Sequence, residues 1–315
     1  MYKDHKIGLL IPAYNEAENI GSVLNSIPDY VDLVLVVNDG SADNTVAIAR
    51  EYGAEVISHK NNKGVGATFK TGVKAILATD VDIMVNMDAD GQFKAADISR
   101  LLGPIIEEKA DFVTASRFID KDYVPVMPKM KKWGNYRMSR LISWLTGQKF
   151  YDVSCGFRAY KREVLYRMNL FGSFTYTQET FIDLAFKDID IMEVPVDVLG
   201  QREKGKSRVA SNLFRYAYQT SKIILKTFRD YKPFKLFGLF ALIFLVIGIL
   251  LLGIMFYHKL ASGSFTPFKW LGFAGGSAVL ISGIFLVLGF ILDMFARMRH
   301  NQEEILFYLK NKNER

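Results

Sequence analysis

The sequence has little of several features that would place it in other classes of protein. It contains one cysteine, Cys155, so no disulfide can form within the chain. A disulfide-stapled secreted domain is therefore excluded, and a reducing compartment is favoured. No apolar stretch precedes the first strand-like run, and we expect no cleavable signal peptide. Acidic residues are fewer than basic ones: the chain has 33 Asp and Glu and 40 Lys and Arg, which gives a net charge of +7. That excess predicts an anionic partner.

Charge is missing altogether from two long stretches, residues 236–257 and 271–292. At about 1.5 Å per residue, each is long enough as a helix to cross a hydrocarbon core of about 30 Å. Two buried core helices are the alternative, but such helices rarely stay uncharged on every face. The short linker between the stretches predicts a transmembrane hairpin over residues 234–294. Its many glycines suit close helix contact and leave room for a homo-oligomer.

Basic residues are concentrated on one side of the hairpin. The linker carries two lysines, Lys259 and Lys269, whereas residues 222–235 and 297–300 are rich in Lys and Arg. The positive-inside rule then predicts a cytoplasmic location for the N-terminal domain and for a C-terminal tail over residues 295–315. Because much of the positive charge adjoins the membrane segments, nucleic acid is a disfavoured partner.

The first 208 residues read as alternating strands and helices. Short continuous apolar runs at residues 7–11, 33–37, 54–58, 82–87 and 111–115 are separated by segments with helical spacing. Two of these predict helices over residues 43–52, with Ser41 as a candidate N-cap, and over residues 95–108. This pattern predicts an α/β domain with a mostly parallel sheet covered on both faces. Ligands of such sheets bind beyond the carboxyl ends of the strands.

The alternation weakens after residue 120. Residues 128–150 are basic and aromatic, and Met130, Trp133, Leu141 and Leu145 could share one broad helix face with Met138 and Ile142. We interpret this segment as a helix on the membrane surface, with an ordinary surface helix as the alternative. Residues 209–233 predict a second, juxtamembrane amphipathic helix leading into the hairpin.

Polar clusters fall at the ends of three predicted strands, at residues 12–16, 38–41 and 88–92. Asp88 and Asp90 could hold a divalent cation and, through it, a diphosphate. Alone, the Asp-x-Asp pattern is weak, since it is common in solvated turns. Lys63 opens a predicted helix where main-chain amides could face a phosphate. The basic loop over residues 201–208 suits an anionic headgroup, with a solvated loop as the alternative.

Together these motifs resemble a known enzyme family. Pro-x-Tyr-Asn-Glu at residues 12–16, Asp-Gly-Ser at 39–41, Asp-Ala-Asp-Gly-Gln at 88–92, Ser-Arg at 116–117 and Gln-Arg-x-x-Gly-x-Ser-Arg at 201–208 are similar to the inverting family 2 glycosyltransferases with a GT-A (Rossmann-like) catalytic domain. The nearest group transfers sugars to polyprenyl phosphates, as dolichol-phosphate mannosyltransferases and undecaprenyl-phosphate glucosyltransferases do.

The resemblance implies roles for particular residues. The nucleotide-sugar would be bound by Pro12, Tyr14, Glu16, Asp39, Lys63, Asp88 and Gln92. Asp88 and Asp90 would hold Mg²⁺ or Mn²⁺, and the acceptor phosphate would be bound by Arg117, Arg202, Lys206, Ser207 and Arg208. Asp90, Arg117, Asp152 and Arg202 would form the catalytic set, with Asp152 orienting the acceptor or acting as a base. Residues 178–180 could contact sugar hydroxyls or serve a structural role. Asn38 stands where many relatives have a second aspartate.

The implied reaction is an inverting transfer of a hexosyl group from a UDP- or GDP-sugar to a polyprenyl or dolichyl phosphate in the bilayer. Alternatives are a glycosyltransferase with a glycolipid or polysaccharide acceptor and a non-catalytic nucleotide-binding membrane scaffold. A processive polysaccharide synthase is disfavoured, because the chain lacks the Gln-x-x-Arg-Trp motif of those enzymes. A nucleotidyltransferase would not explain the hairpin or the basic loop.

Overall fold

The computed structural model describes residues 1–169, 176–199, 221–222, 225–226 and 228–312. The chain forms two compact units, Met1–Ile224 and Leu225–Arg315. The loop that contains Arg202, Lys206, Ser207 and Arg208 lies outside the described residues, as does most of the predicted juxtamembrane helix. Predictions about both therefore stay predictions.

The first unit is an α/β domain built on a seven-stranded sheet with the order β3-β2-β1-β4-β6-β5-β7. The strands are β1 Ile7–Ala13, β2 Leu33–Asn38, β3 Glu55–Ser58, β4 Ile83–Asn86, β5 Phe112–Ser116, β6 Arg158–Lys161 and β7 Ile191–Pro195. The helices are α1 Ile20–Asn25, α2 Thr45–Glu51, α3 Val65–Leu77, α4 Ile98–Ile106, α5 Lys129–Thr146, α6 Arg162–Arg167 and α7 Thr177–Ala185.

The direction of the strands positions the candidate site. Neighbouring strands pair in parallel except at β6, which is antiparallel to both β4 and β5. The carboxyl ends of six strands therefore meet at one edge, and the chain enters β6 from that same edge. The central strands β1, β4 and β5 are buried from both faces, and Leu9, Ile11, Val36 and Val85 are almost fully enclosed. The prediction of a mostly parallel sheet is confirmed.

Two local predictions differ from the structure. The helix expected over residues 95–108 is divided into a 3₁₀ turn, Ala95–Asp97, and α4. Ser41 was expected to cap α2, but Asn44 occupies the N-cap position and makes no side-chain capping bond. The Ser41 hydroxyl instead accepts a hydrogen bond from the Asn15 main-chain N–H at 2.8 Å. A long-range contact has displaced the local cap.

Helix α5 has two apolar faces, where the sequence indicated one broad face. Ile142 and Leu145 are buried against the domain together with Ser139, whose hydroxyl donates to the Tyr151 carbonyl at 2.9 Å. Trp133 and Trp144 lie on the opposite side and are 57% and 72% exposed. Arginine guanidinium groups stack over aromatic rings along the helix, Arg137 on Trp133 and Arg140 on Tyr136.

The second unit contains an antiparallel pair of long helices, α8 Pro233–Ser262 and α9 Lys269–Lys312. Both are long and apolar enough to cross a membrane, and most of their apolar windows are exposed. The two backbones approach closely at glycines, since a Cβ added to Gly248 would lie 2.9 Å from the Gly275 carbonyl oxygen. The Ser282 hydroxyl donates to the Ala241 carbonyl at 2.7 Å. The two apolar stretches form a helical hairpin, and α9 continues without a break beyond residue 292.

Candidate active site

The ends of β1 and β2 are joined by a polar network. Asn15 adopts a positive φ of 50°, which turns the chain away from the sheet. Its side-chain oxygen accepts the Ala42 N–H at 2.7 Å. The Asn38 side chain accepts the Ser41 N–H at 3.0 Å and donates to the Ser58 hydroxyl at 3.2 Å. Asn38 therefore organises the two loops, a role for which its amide supplies both a donor and an acceptor.

Glu16 and Asp39 are the two buried carboxylates of this corner. The Glu16 main-chain N–H donates to the Thr45 hydroxyl at 2.9 Å, and its carboxylate accepts the Asn19 amide at 3.0 Å. The Asp39 carboxylate accepts the main-chain N–H groups of Lys63 and Gly64 at 2.9 and 2.8 Å. Asp39 thus fixes the start of α3 with charge-assisted bonds, which are stronger than neutral ones.

His59 completes the contacts of Asp39. Its Nδ1 lies 2.7 Å from an Asp39 carboxylate oxygen, and its Nε2 lies 2.9 Å from the Thr71 hydroxyl. Sequence reasoning missed His59, because a single histidine at the end of a short strand carries no recognisable spacing. The contact brings the end of β3 into the same corner.

Asp88 and Asp90 follow β4 at the centre of the edge. Asp90 is buried, Asp88 is partly exposed, and Gly91 between Asp90 and Gln92 has a φ of 73°. The Asp90 carboxylate accepts the Gln92 N–H at 3.2 Å, and the Gln92 amide donates to the Leu199 carbonyl at 2.7 Å. The tight turn thus directs both carboxylates of the motif toward one edge of the sheet.

The segment that enters β6 forms the wall behind Asp88. A Cβ added to Gly156 would lie 2.9 Å from the nearer Asp88 carboxylate oxygen. The Gly156 carbonyl accepts the Asn86 side-chain amide at 2.8 Å, and the same amide donates to the Tyr176 hydroxyl at 2.7 Å. A side chain at 156 would force the Asp88 carboxylate to shift from this position.

Arg117 and Asp152 form a two-bond ion pair at the end of β5. Arg117 Nε and Nη2 donate to the two Asp152 oxygens at 2.6 and 2.9 Å, and Nη2 also donates to the Ser154 hydroxyl at 2.7 Å. The Asp152 side chain is fully buried and that of Arg117 is 12% exposed. Burial would raise the pKa of Asp152, but the Arg117 guanidinium outweighs it and holds this pKa below its usual value. Asp152 is therefore ionised at neutral pH.

Replacing Asp152 with Asn is expected to lower the free energy of unfolding by about 3 kcal/mol at neutral pH, because breaking a buried pair leaves one charge uncompensated. Because the folded-state pKa is depressed, the carboxylate stabilises the fold fully above its unfolded value of about 3.9 and loses this effect as the pH falls through the folded value. The difference from wild type should therefore be constant between about pH 5 and 7 and shrink in stronger acid.

Denaturant unfolding of the detergent-solubilised protein, followed by tryptophan fluorescence, measures this difference. Asp111→Asn is the matched control, since its ion pair with Lys161 is about one-third exposed on both sides and should contribute under about 1 kcal/mol. A difference that grows on acidification would mean that Asp152 is not the depressed carboxylate described above.

Glu193 on β7 is a further site residue that the sequence did not indicate. Its carboxylate accepts the main-chain N–H groups of Tyr151 and Asp152, each at 2.7 Å. Burial raises the pKa of Glu193, and the nearby Asp152 charge adds to the effect. Glu193 fixes the main chain from which Asp152 extends. The sequence alone does not indicate Glu193, because a single acidic residue in a short strand forms no motif. Its role is visible only when β7 is placed beside β5.

The structure brings most of the sequence-predicted residues to one edge of the sheet. Pro12 lies near the end of β1, Tyr14 and Asp39 follow β1 and β2, and Lys63 lies between β3 and α3, with Tyr14 and Lys63 exposed. Residues 178–180 are buried near the start of α7. Among the described residues no group of three or more His, Cys, Asp or Glu side chains could hold a metal ion, and the metal pair Asp88 and Asp90 stays a prediction.

Comparisons with known proteins agree with this architecture. Residues 9–168 match the model of glycosyl transferase family 2. The chain is 34% identical over 180 residues to UDP-N-acetylglucosamine--dolichyl-phosphate N-acetylglucosaminyltransferase of Methanococcus voltae, covering 51% of this chain and 72% of that protein. It is 31% identical over 227 residues to polyprenol monophosphomannose synthase of Mycolicibacterium smegmatis, covering 66% and 83%.

A solved structure shares the fold. Glucosyl-3-phosphoglycerate synthase from Mycobacterium tuberculosis, crystallised with Mn²⁺, UDP and phosphoglyceric acid, superposes with a TM-score of 0.58 at 22% identity over 71% of this chain and 79% of that one. The α/β domain is thus GT-A-like, as predicted. The chain belongs to glycosyl transferase family 2 and is a glycosyltransferase.

Proposed function

We propose that this enzyme transfers a hexosyl group from a UDP- or GDP-sugar to a polyprenyl or dolichyl phosphate, with inversion at the anomeric carbon. The observation that carries the proposal is the pairing of two sites at one edge of the sheet. Asp88 lies against Gly156, and four residues earlier in the same segment Asp152 holds Arg117. A carboxylate pair suited to a donor diphosphate and a guanidinium suited to an acceptor phosphate are thereby joined by one short loop.

A phosphate acceptor explains why the site needs no strong base. The second pKa of a phosphate monoester is about 6, so the acceptor is largely a dianion at neutral pH. Asp152 is buried, bonded to Arg117 and has a depressed pKa. These properties favour the orienting role for Asp152 over the role of a base. Arg117, held by Asp152, would bind the acceptor phosphate.

The residues at the end of β4 fit a divalent cation. Mg²⁺ is commonly held by one or two carboxylates together with substrate phosphates, and Asp88 and Asp90 are such a pair. When bound, Mg²⁺ or Mn²⁺ would neutralise charge on the donor diphosphate. Like charges about 4 Å apart repel by roughly 4 kcal/mol at an effective dielectric near 20, so the two anionic substrates also need Arg117. The predicted contacts of Arg202, Lys206, Ser207 and Arg208 with phosphate would add to this.

The chemical step is a single displacement. An acceptor phosphate oxygen forms the new bond to the anomeric carbon, while the bond from that carbon to the donor β-phosphate oxygen breaks. The electron pair leaves with UDP or GDP, and no proton transfer is required. Cys155 is no competing nucleophile, because burial raises the pKa of its thiol to about 12. A single displacement inverts the anomeric configuration.

The nucleoside would be bound by Pro12, Tyr14, Glu16 and Asp39, with Lys63 close to the phosphates and Gln92 beside the carboxylate pair. Asp39 already anchors the start of α3 through Lys63 and Gly64. We therefore expect its effect on donor binding to combine direct contact with control of this loop.

We further propose that the hairpin spans the membrane with the catalytic domain on the cytoplasmic face, and that the exposed side of α5 lies at the lipid surface. Aromatic and basic side chains suit the interface between headgroups and acyl chains. Trp133 and Trp144 are exposed on α5, and the first three turns of the helix also carry several lysines and arginines.

The tryptophan content allows a direct test of the location of α5. The chain has three tryptophans, so the Trp270→Phe variant retains only Trp133 and Trp144, both on α5. In vesicles, we expect their emission to be blue-shifted and strongly quenched by lipids that carry a spin label near the headgroup. Trp133→Phe/Trp144→Phe, which retains Trp270, is the matched comparison. Emission of the α5 tryptophans that is quenched by aqueous iodide and not by labelled lipids would contradict the proposal.

Transfer of radiolabelled sugar to polyprenyl phosphate tests the function. Purified enzyme in detergent with Mn²⁺ is given a panel of UDP- and GDP-sugars, and label is followed into the organic phase. We expect transfer from one donor. Label that enters only glycolipid or polysaccharide acceptors would favour the alternative acceptor class. Nucleotide binding without any transfer or donor hydrolysis would contradict the assignment of a functioning site.

A further inference from the structure

Arg158, the first residue of β6, is a buried cation to which the mechanism above assigns no part. Its side chain has no solvent exposure. Its Nε donates to the Cys155 carbonyl at 2.8 Å, and its Nη2 donates to the carbonyls of Thr177 and Val153 at 3.0 and 3.4 Å. All three of these hydrogen bonds end on main-chain oxygens.

The surroundings of this guanidinium are aromatic. Its carbon lies 5.0 Å from the ring centre of Phe181 and 5.7 Å from those of Phe112 and Tyr176. Its Nη1 is buried and has no hydrogen-bond partner among the described residues. Burying a charge in apolar surroundings is costly. A methionine of similar length would fill the space without that cost, so the packing alone does not explain an arginine here.

The three carbonyls identify what Arg158 connects. Val153 and Cys155 belong to the short loop between Asp152 and Gly156, and Thr177 is the first residue of α7. At the start of this loop Asp152 binds Arg117, and at its end Gly156 lies beside the Asp88 carboxylate. Asn86, which faces Arg158 across β4 and β6, binds the Gly156 carbonyl of the same loop.

We propose that Arg158 is a positioning residue that sets the 152–156 loop and, through it, both the Arg117–Asp152 pair and the Asp88 carboxylate. Removal of the guanidinium leaves buried carbonyls without donors, and the loop must shift to satisfy them. One movement then displaces the groups for donor and acceptor together. The proposal rests on the proposed function for the roles of these groups, and its own claim concerns the loop.

Arg158→Met and Arg158→Lys in the full-length enzyme test this inference, with Arg162→Met as the matched control. Arg162 also donates to main-chain carbonyls, those of Val81 and Leu77, where the chain leaves β6 for α6, at the other end of the strand from the 152–156 loop. We expect kcat to fall about 100-fold in Arg158→Met, as a misplacement near 1 Å can do, while KM at saturating Mn²⁺ changes by less than about threefold. The Mn²⁺ concentration for half-maximal activity should rise.

The lysine variant and the control separate positioning from stability. Lysine can restore one of the carbonyl bonds, so Arg158→Lys should recover about tenfold of the lost kcat. Arg162→Met should lower the melting temperature without changing kcat per folded enzyme. The inference is overturned if Arg158→Met and Arg162→Met lose kcat equally, or if Arg158→Met keeps wild-type kcat. If Arg158→Met does not fold, wild-type kcat in Arg158→Lys overturns it.

A second readout is independent of the acceptor. Calorimetric binding of UDP and GDP is measured at several Mn²⁺ concentrations for wild type and Arg158→Met. Because Asp88 is displaced, we expect the Mn²⁺-dependent part of the affinity to fall in the variant and to persist in Arg162→Met. The wild type could move no sugar to polyprenyl phosphate while Arg158→Met still loses Mn²⁺-dependent nucleotide affinity. The proposed acceptor then fails and the inference about Arg158 stands. Unchanged Mn²⁺ dependence in Arg158→Met contradicts the inference.

Discussion

Asp90→Asn is expected to lower sugar transfer by about 100- to 1000-fold, since a metal at a diphosphate supplies several kcal/mol of charge stabilisation and each 1.36 kcal/mol is a tenfold change in rate. The substitution keeps the shape of the side chain and an oxygen that can accept the Gln92 N–H. The turn at residues 88–92 should therefore remain, and the loss should come from the missing charge.

The Asp90→Asn measurement needs a carboxylate control at the other edge of the sheet. Asp82 accepts the Lys6 main-chain N–H at 2.8 Å where β4 begins, and Asp82→Asn should leave kcat within about twofold, as a surface change far from the site does. Circular dichroism verifies the fold of both variants. Substantial transfer by Asp90→Asn at saturating donor would show that Asp90 is dispensable and that the metal pair has been assigned wrongly.

Gly156→Ala is expected to leave the enzyme folded and to lower its kcat strongly. The new methyl group would lie 2.9 and 3.1 Å from the two Asp88 carboxylate oxygens, so this short side chain must rotate away. A displacement of that size can reduce kcat by about 100-fold. Stability should change little, because Gly156 has no positive φ that an alanine would strain.

Gly103→Ala is the matched control for Gly156→Ala, since a Cβ at Gly103 meets nothing within 4 Å. It lies in α4, far from Asp88 in the chain, and should leave kcat unchanged. Measuring kcat, the Mn²⁺ requirement and the melting temperature of both variants separates displacement of Asp88 from general damage. Full activity in Gly156→Ala would show that Asp88 does not need the position it occupies beside Gly156.

The sequence predicted well which candidate site residues follow the ends of the strands. Continuous apolar runs identified β1, β2 and β4, and parallel strands must end at one edge. Asp39, Asp88 and Asp90 could therefore be brought together before any contact was known. Local spacing also indicated α3 and the two helices of the hairpin, because their apolar residues recur over many turns.

The supporting residues could not be predicted in the same way. β6 is a short strand that begins with a buried arginine, and its antiparallel pairing depends on neighbours far away in the chain. Arg158, Glu193 and His59 act through contacts with distant main-chain or side-chain groups. No local pattern encodes such contacts. The same limit applies to Ser41, whose local capping signal was overridden by a contact from Asn15.

The sharpest test of the proposed reaction is the identity and configuration of its products. Wild-type enzyme would be incubated with its preferred nucleotide-sugar, Mn²⁺ and polyprenyl phosphate, and the lipid and nucleotide would be analysed by ³¹P and ¹H NMR. The account predicts a lipid phosphodiester with the inverted anomeric configuration and one nucleoside diphosphate released per sugar. A lipid diphosphate with nucleoside monophosphate, or a product that retains the donor's anomeric configuration, would contradict it.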